Sequence, residues 1–478
     1  MPPEETYPLE LSDETFRSMI EKALEHLLAH LGSLDQQPVV GTEGGRELAL
    51  ELREPLPREG VPFDELLDLL FERVFPCTYN TASGGYLAYV PGGGIPHSAV
   101  ADFLANGVNR FVGLWLAGPG IVQLEANVVR WFCDLVGYPD GAGGFLTSGG
   151  SLANLSAVVT ARRERLPENF LRGTLYTSDQ VHHSVTKAAM LAGFPVTNVR
   201  QIPTDSRFEI CLDRLREQIA TDRREGFEPF LVVGNAGSTN TGAVDDLEAL
   251  ATIAAKERLW FHADAAYGGF FALTERGRRA LRGLDRADSV TLDPHKGLFL
   301  PYGTGCLLVR EAAALKRTHS TAAEYLPQMQ EDLDWVDYCE ISPELSRDFR
   351  GLRAWLPLKM HGIGPFRAAL NEKLDLAQEV ARELKRVPDI EVLAEPPLSL
   401  VVFRLAPAEV PAEDLNRLNR DFLEEINRPN RVFLTPTTLP DGRFVLRICI
   451  LSFRTHRRQI EWALEYVRQA AKKVLGVR

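Results

Sequence analysis

Asp293-Pro294-His295-Lys296-Gly297 follows the apolar run Val290-Thr291-Leu292, and an earlier apolar run ends in His262-Ala263-Asp264-Ala265-Ala266-Tyr267-Gly268. A lysine and an acid at successive strand ends suit pyridoxal phosphate (PLP), which needs an amine for a Schiff base and a carboxylate on its pyridine nitrogen. Pro294 and Gly297 fix a tight turn around Lys296, which argues against a surface lysine on a solvated stem. Asp264, flanked by alanines after a buried strand, needs a cation to offset its desolvation. A protonated pyridine supplies one; a structural pair with Arg or Lys is the plainer alternative. The expectation is an enzyme.

Around these two stretches, short β-rich runs at 175–176, 230–233, 259–261, 289–292 and 306–309 alternate with helix-like segments. Strands that read as continuous apolar runs between helices predict a mainly parallel sheet covered on both faces. Before residue 84 the periodicity gives one helix over 12–31, with Ser12 as N-cap, and another over 63–75, joined by Pro- and Gly-rich sequence. This predicts a helical arm at 1–83 that lies on a partner, a large domain at 84–355 and a small α/β domain at 356–478. In the small domain, helices over 371–386 and 457–474 accompany strands near 398–405 and 444–450. Asp441-Gly442 signals a hairpin there.

With 478 residues, 45% of them hydrophobic, the chain can bury a large core. The net charge of −12 disfavours a nucleic-acid or anionic-membrane surface. The six cysteines are scattered without a Cys-x-x-Cys pair, as reduced thiols are, and no metal site is implied. The acidic N-terminus lacks a signal-peptide pattern and no apolar run spans a bilayer, so a cytoplasmic location is expected.

Ligands of open parallel sheets sit beyond the carboxyl ends of the strands, where the remaining candidates fall. Thr147-Ser148-Gly149-Gly150-Ser151 precedes a helical run: glycines allow close backbone approach, a helix start binds an anion and Ser151 adds a hydroxyl. An ordinary glycine turn with a serine cap is the alternative. Ser178-Asp179-Gln180-Val181-His182-His183-Ser184 offers two adjacent histidines, either of which could stack on an aromatic ring. Gly237-Ser238-Thr239-Asn240-Thr241-Gly242 offers hydroxyls. Asp293 and His295 would contact phosphate or aldehyde, although Asp293 would repel a phosphate unless donors intervene.

Taken together, Thr147 to Ser151, Ser178-Asp179-Gln180 with His182, His262 to Tyr267 and Pro294-His295-Lys296 resemble the group II PLP-dependent amino acid decarboxylases, of which aromatic-L-amino-acid decarboxylase is typical. The resemblance runs from about Gly84 onward. It implies Lys296 as Schiff-base lysine, Asp264 as pyridinium partner and His182 as stacking residue, with Gly149, Gly150, Ser151, Thr239 and His295 as further cofactor contacts. It also implies fold type I (aspartate aminotransferase-like) with a seven-stranded sheet, and a homodimer with active sites at the interface. Asp337-Tyr338-Cys339-Glu340 resembles the family's mobile loop, whose tyrosine returns a proton to Cα; Tyr338 fills that place and Tyr325 is a rival. Members that make aldehydes have phenylalanine there, so Tyr338 favours simple decarboxylation.

Two departures accompany the resemblance. The family's substrate turn reads Tyr-Phe-Pro-Thr, whereas this chain has Tyr89-Val90-Pro91-Gly92-Gly93-Gly94. Asp293 replaces an asparagine and matches the related carbon–carbon lyases, which keeps that reaction open. Tyr89 and Phe111, with Trp115, would suit an aromatic or other apolar substrate. Arg447 could bind a substrate carboxylate, as an aminotransferase requires, but a structural arginine is the favoured reading. A PLP-binding protein without turnover is the reading from another class.

Overall fold

The apolar runs form one sheet. In the computed structural model, which describes residues 7, 9–321, 329–330 and 335–476, seven strands precede residue 310: β1 (Gly143–Thr147), β2 (Gly173–Ser178), β3 (Val199–Ile202), β4 (Glu228–Asn235), β5 (Trp260–Asp264), β6 (Ser289–Leu292) and β7 (Gly305–Val309). Their order is β1-β7-β6-β5-β4-β2-β3. Only β7 runs against its neighbours, and the β6-β5-β4-β2-β3 pairs are parallel. The expected mainly parallel, seven-stranded sheet is therefore present.

Both faces are buried because both carry apolar side chains. In β4, Leu231 and Val233 join one core with Val158 and Ala189, while Val232 between them joins the other with Leu247 and Leu250. This two-residue alternation within a continuous apolar run is what a sheet with helices on both sides demands. The helix Gly150–Arg165 lies against β1, β4, β5, β6 and β7. Small residues, Ala153, Ala157 and Ala161, let it approach closely.

The C-terminal part carries an antiparallel sheet of β8 (Ile390–Val392), β9 (Leu400–Leu405), β10 (Thr435–Thr438) and β11 (Phe444–Cys449), in the order β10-β11-β9-β8. The expected turn joins β10 to β11, with Gly442 at φ 85°. The helix predicted over 371–386 spans Gly364–Leu384, because Pro365 starts it a turn and more earlier. The stretch predicted as a helix over 63–75 is α-helical over Phe63–Asp68 and continues as a π-helix over Leu69–Val74. At the N-terminus, Ser12 caps the helix Asp13–Gly32 by accepting from the Thr15 N–H at 3.1 Å. No residue of that helix is buried within the chain. Among the described residues no helix is long and apolar enough to cross a membrane.

Candidate active site

The loops after β1, β2, β4, β5 and β6 open on one cavity of about 280 Å³ at the carboxyl edge of the sheet. It brings together Gly149, Gly150, Ser151, His182, Thr239, Asp264, Asp293, His295 and Lys296. Residues up to 147 positions apart thus converge because parallel strands end side by side (296 − 149).

Asp264 sits at the end of β5 with its carboxylate fixed on both oxygens. Asn154 Nδ2 donates to Oδ2 at 3.0 Å, and the Ala266 N–H donates to Oδ1 at 3.2 Å. Asn154, one turn into the helix after the glycine loop, is the centre of this arrangement. Its Oδ1 accepts from Thr291 Oγ1 at 2.7 Å and from His262 Nε2 at 3.1 Å, while Nδ2 also reaches Ser184 Oγ at 2.9 Å. Burial pushes His262 down to about 4, so that ring is neutral and donates from Nε2 while Nδ1 accepts from Ser289.

Ser184 Oγ lies 2.7 Å from His182 Nδ1, and the Ser184 N–H points at the same nitrogen. That nitrogen is therefore the acceptor and the proton resides on Nε2. Burial lowers the His182 pKa, against an opposing pull from Asp264. Of the two adjacent histidines, His182 alone lines the cavity.

Lys296 Nζ lies 2.9 Å from Asp293 Oδ2. Burial alone would lower its pKa, but Asp293 and then Asp264 outweigh it and the net shift is upward. Asp293 is buried and its Oδ1 has no hydrogen-bond partner. His295 donates no charge to it: burial holds that imidazole below its ordinary value, and Nδ1 bonds to the Thr304 carbonyl at 2.7 Å. A Cβ built on Gly150 would lie 3.1 Å from Asp293 Oδ2 and 3.3 Å from Ala266, so only glycine leaves this helix start open.

An acid fixed on both oxygens, an amine, a neutral ring and a helix N-terminus bared by glycine are the donor set that PLP requires. Sequence reasoning missed Asn154, which lies in no motif, and gave no role to Ser184 at the end of the histidine stretch. The available signal was an asparagine on the small-residue face of a helix, among Ala153, Ala157 and Ala161, where only a bonded amide is tolerated.

Several expected residues lie outside this cavity. Tyr338 is fully buried in the core on one side of the sheet, its ring 4.3 Å beneath the Arg347 guanidinium and its hydroxyl without a partner. Burial raises its pKa well above 10. Tyr325 lies outside the described residues. Phe111 and Trp115 are half-buried and do not line the cavity; the Trp115 ring meets Trp335 at 5.0 Å. Tyr89 is 51% exposed, and its N–H bonds Thr435 at 3.1 Å. A Cβ on Gly92 would fall 1.9 Å from the His295 carbonyl, which explains why threonine is absent from this turn: the backbone presses on the Lys296 turn itself. Arg447 spends its donors on the Asn240 (3.0 Å), Tyr89 (3.1 Å) and Thr239 carbonyls and on Thr435 Oγ1 (3.2 Å), in keeping with its reading as a structural arginine. It clamps β11 to the loop that carries Thr239.

The family model for the pyridoxal-dependent decarboxylase conserved domain matches residues 54–406. The chain is 36% identical to the aromatic-L-amino-acid decarboxylase of Bacillus atrophaeus over 98% of its length and 97% of that protein's. It is 29% identical to tryptophan decarboxylase 1 of Oryza sativa subsp. japonica, over 98% and 95% respectively. The crystal structure of Oryza sativa TDC with PLP and tryptamine superposes with a TM-score of 0.92 at 27% identity, covering 98% of this chain and 99% of that one. With Lys296, Asp264 and the glycine loop in one cavity, and likeness along nearly the whole length, the chain belongs to the pyridoxal-dependent decarboxylases and is a PLP-dependent amino acid carboxy-lyase.

Proposed function

We propose that the enzyme converts an aromatic L-amino acid to its amine and carbon dioxide, with Lys296 as the amine that holds the cofactor. The observation that carries the assignment of roles is the convergence of Lys296 Nζ, the fixed Asp264 carboxylate and the neutral His182 ring in one cavity. The substrate class rests on relatives named as aromatic-L-amino-acid and tryptophan decarboxylases.

When bound, PLP supplies an aldehyde for an amine and a cationic ring that accepts the electron pair left by a departing carboxylate. The chain's residues do the rest. Asp264 would hold a proton on the ring nitrogen, and Asn154 and the Ala266 N–H fix the position of its carboxylate for that task. His182 presents a neutral face for stacking, with its Nδ1 fixed by Ser184. The helix start at Gly150 and Ser151, with Thr239 and His295, would hold the phosphate. Lys296 Nζ accepts and returns protons at the substrate nitrogen.

Tyr338 is assigned the proton returned to Cα, through movement of its segment out of the core. Leaving its present place forfeits the burial of the ring and its contact with Arg347, while the hydroxyl has no hydrogen bond to lose. The same proposal includes a homodimer with Tyr89 and Phe111 near the substrate, division into residues 1–83, 84–355 and 356–478, and a cytoplasmic location, which suits six cysteines free of disulfides.

Screening the twenty amino acids for carbon dioxide release tests this. Release from tryptophan, tyrosine or phenylalanine without any keto acid is expected. Release confined to acidic or small amino acids contradicts the substrate class, and keto-acid-dependent amino transfer contradicts the reaction.

A further inference from the structure

Asp293 stands where an anion-binding loop should be free of negative charge. Its Oδ2 lies against the start of the helix Gly150–Arg165, close enough that a Cβ on Gly150 would be 3.1 Å away. The residue lines the cavity, and its other oxygen is buried without a hydrogen-bond partner among the described residues. The charged and titratable groups around it are few. Lys296 Nζ pairs with it at 2.9 Å, and His295 Nε2, at 3.6 Å, belongs to a ring that burial keeps neutral. His182 and Asp264 act from across the cavity, and the Cys306 thiol on β7 is buried and held protonated.

We propose that Asp293 weakens the hold on the cofactor's phosphate, so that the cofactor binds exchangeably and the protein cycles between empty and loaded forms. In the empty site the carboxylate neutralises Lys296 and occupies the seat at the helix N-terminus. In the loaded site Lys296 is committed to the aldehyde end, and carboxylate and phosphate share one set of donors. Two anions in a water-poor cavity repel strongly, because little solvent screens them. An amide at position 293 keeps the shape and removes the charge. This inference rests on the cofactor site proposed above.

The test titrates cofactor-free protein with pyridoxal phosphate, and separately with pyridoxal, which has the aldehyde and no phosphate, reading cofactor absorbance. Asp293→Asn should bind pyridoxal phosphate at least tenfold more tightly than the unaltered protein, with pyridoxal affinity changed less than threefold. Inorganic phosphate should displace pyridoxal phosphate from the variant at correspondingly lower concentration. Unchanged or weaker binding of pyridoxal phosphate by Asp293→Asn overturns the proposal. Should that variant not fold, the unaltered protein decides: similar affinities for the two compounds support the proposal, and a preference of a hundredfold or more for the phosphorylated one overturns it. Failure of the cofactor assignment is distinguishable, since Lys296→Ala would then bind both compounds as the unaltered protein does.

Discussion

Tyr338 sets a cost against a task. A buried phenol with no hydrogen-bond partner destabilises the fold by about 1 kcal/mol relative to an apolar ring of the same shape. Tyr338→Phe should therefore raise the unfolding free energy of the cofactor-free protein by about 1 kcal/mol while shifting the product from amine toward aldehyde. Product analysis and denaturant unfolding on the same sample check both halves. Unchanged product with increased stability would make Tyr338 a core residue alone. Most of the cavity was legible from the sequence at this scale. Lys296, Asp264 and the glycine loop announce themselves by following strand ends, where backbone geometry leaves few positions for a ligand. Asn154 was not legible: its value comes from Asp264, His262 and Thr291 arriving from three other elements. The partners of Arg447 were hidden for the same reason, since they lie on loops distant in sequence.

Among the elements, β4 to β7 were legible because a buried strand must be apolar on both faces, and 230–233 and 306–309 are. The strand β3 was not, since three of its four residues, Val199, Arg200 and Gln201, remain partly or fully exposed at the sheet edge. The short β8 and β10 share that weakness. The helix Ala313–His319 gives a testable consequence of burial. Burial lowers His319 to about 4, and its Nε2 has no partner. The unfolded chain, with an ordinary value near 6.5, thus holds more protons than the folded one between these limits. His319 leaves stability intact above pH 6.5 and lowers it as pH falls toward 4, with a slope approaching about 1 kcal/mol per pH unit. Urea unfolding of His319→Phe between pH 7 and 4.5 should show a shallower acid loss than the unaltered protein; equal slopes would contradict this origin.

At the scale of the whole molecule, one chain leaves apolar surface uncovered. Along Asp13–Gly32, Phe16, Leu24, Leu27 and Leu28 are exposed, and along Pro96–Val108 so are Val100, Phe103, Leu104 and Val108. Such faces mark association. Sedimentation equilibrium should give about twice the 53.2 kDa chain mass, and Leu28→Asp with Phe103→Asp should shift it toward the monomer; a monomeric unaltered protein would contradict the dimer. The account as a whole depends on Lys296. Borohydride reduction of cofactor-saturated protein, followed by peptide mass mapping, measures that directly. A pyridoxyl group on the peptide carrying Lys296 is predicted; the label on another side chain, or on none, would contradict the account.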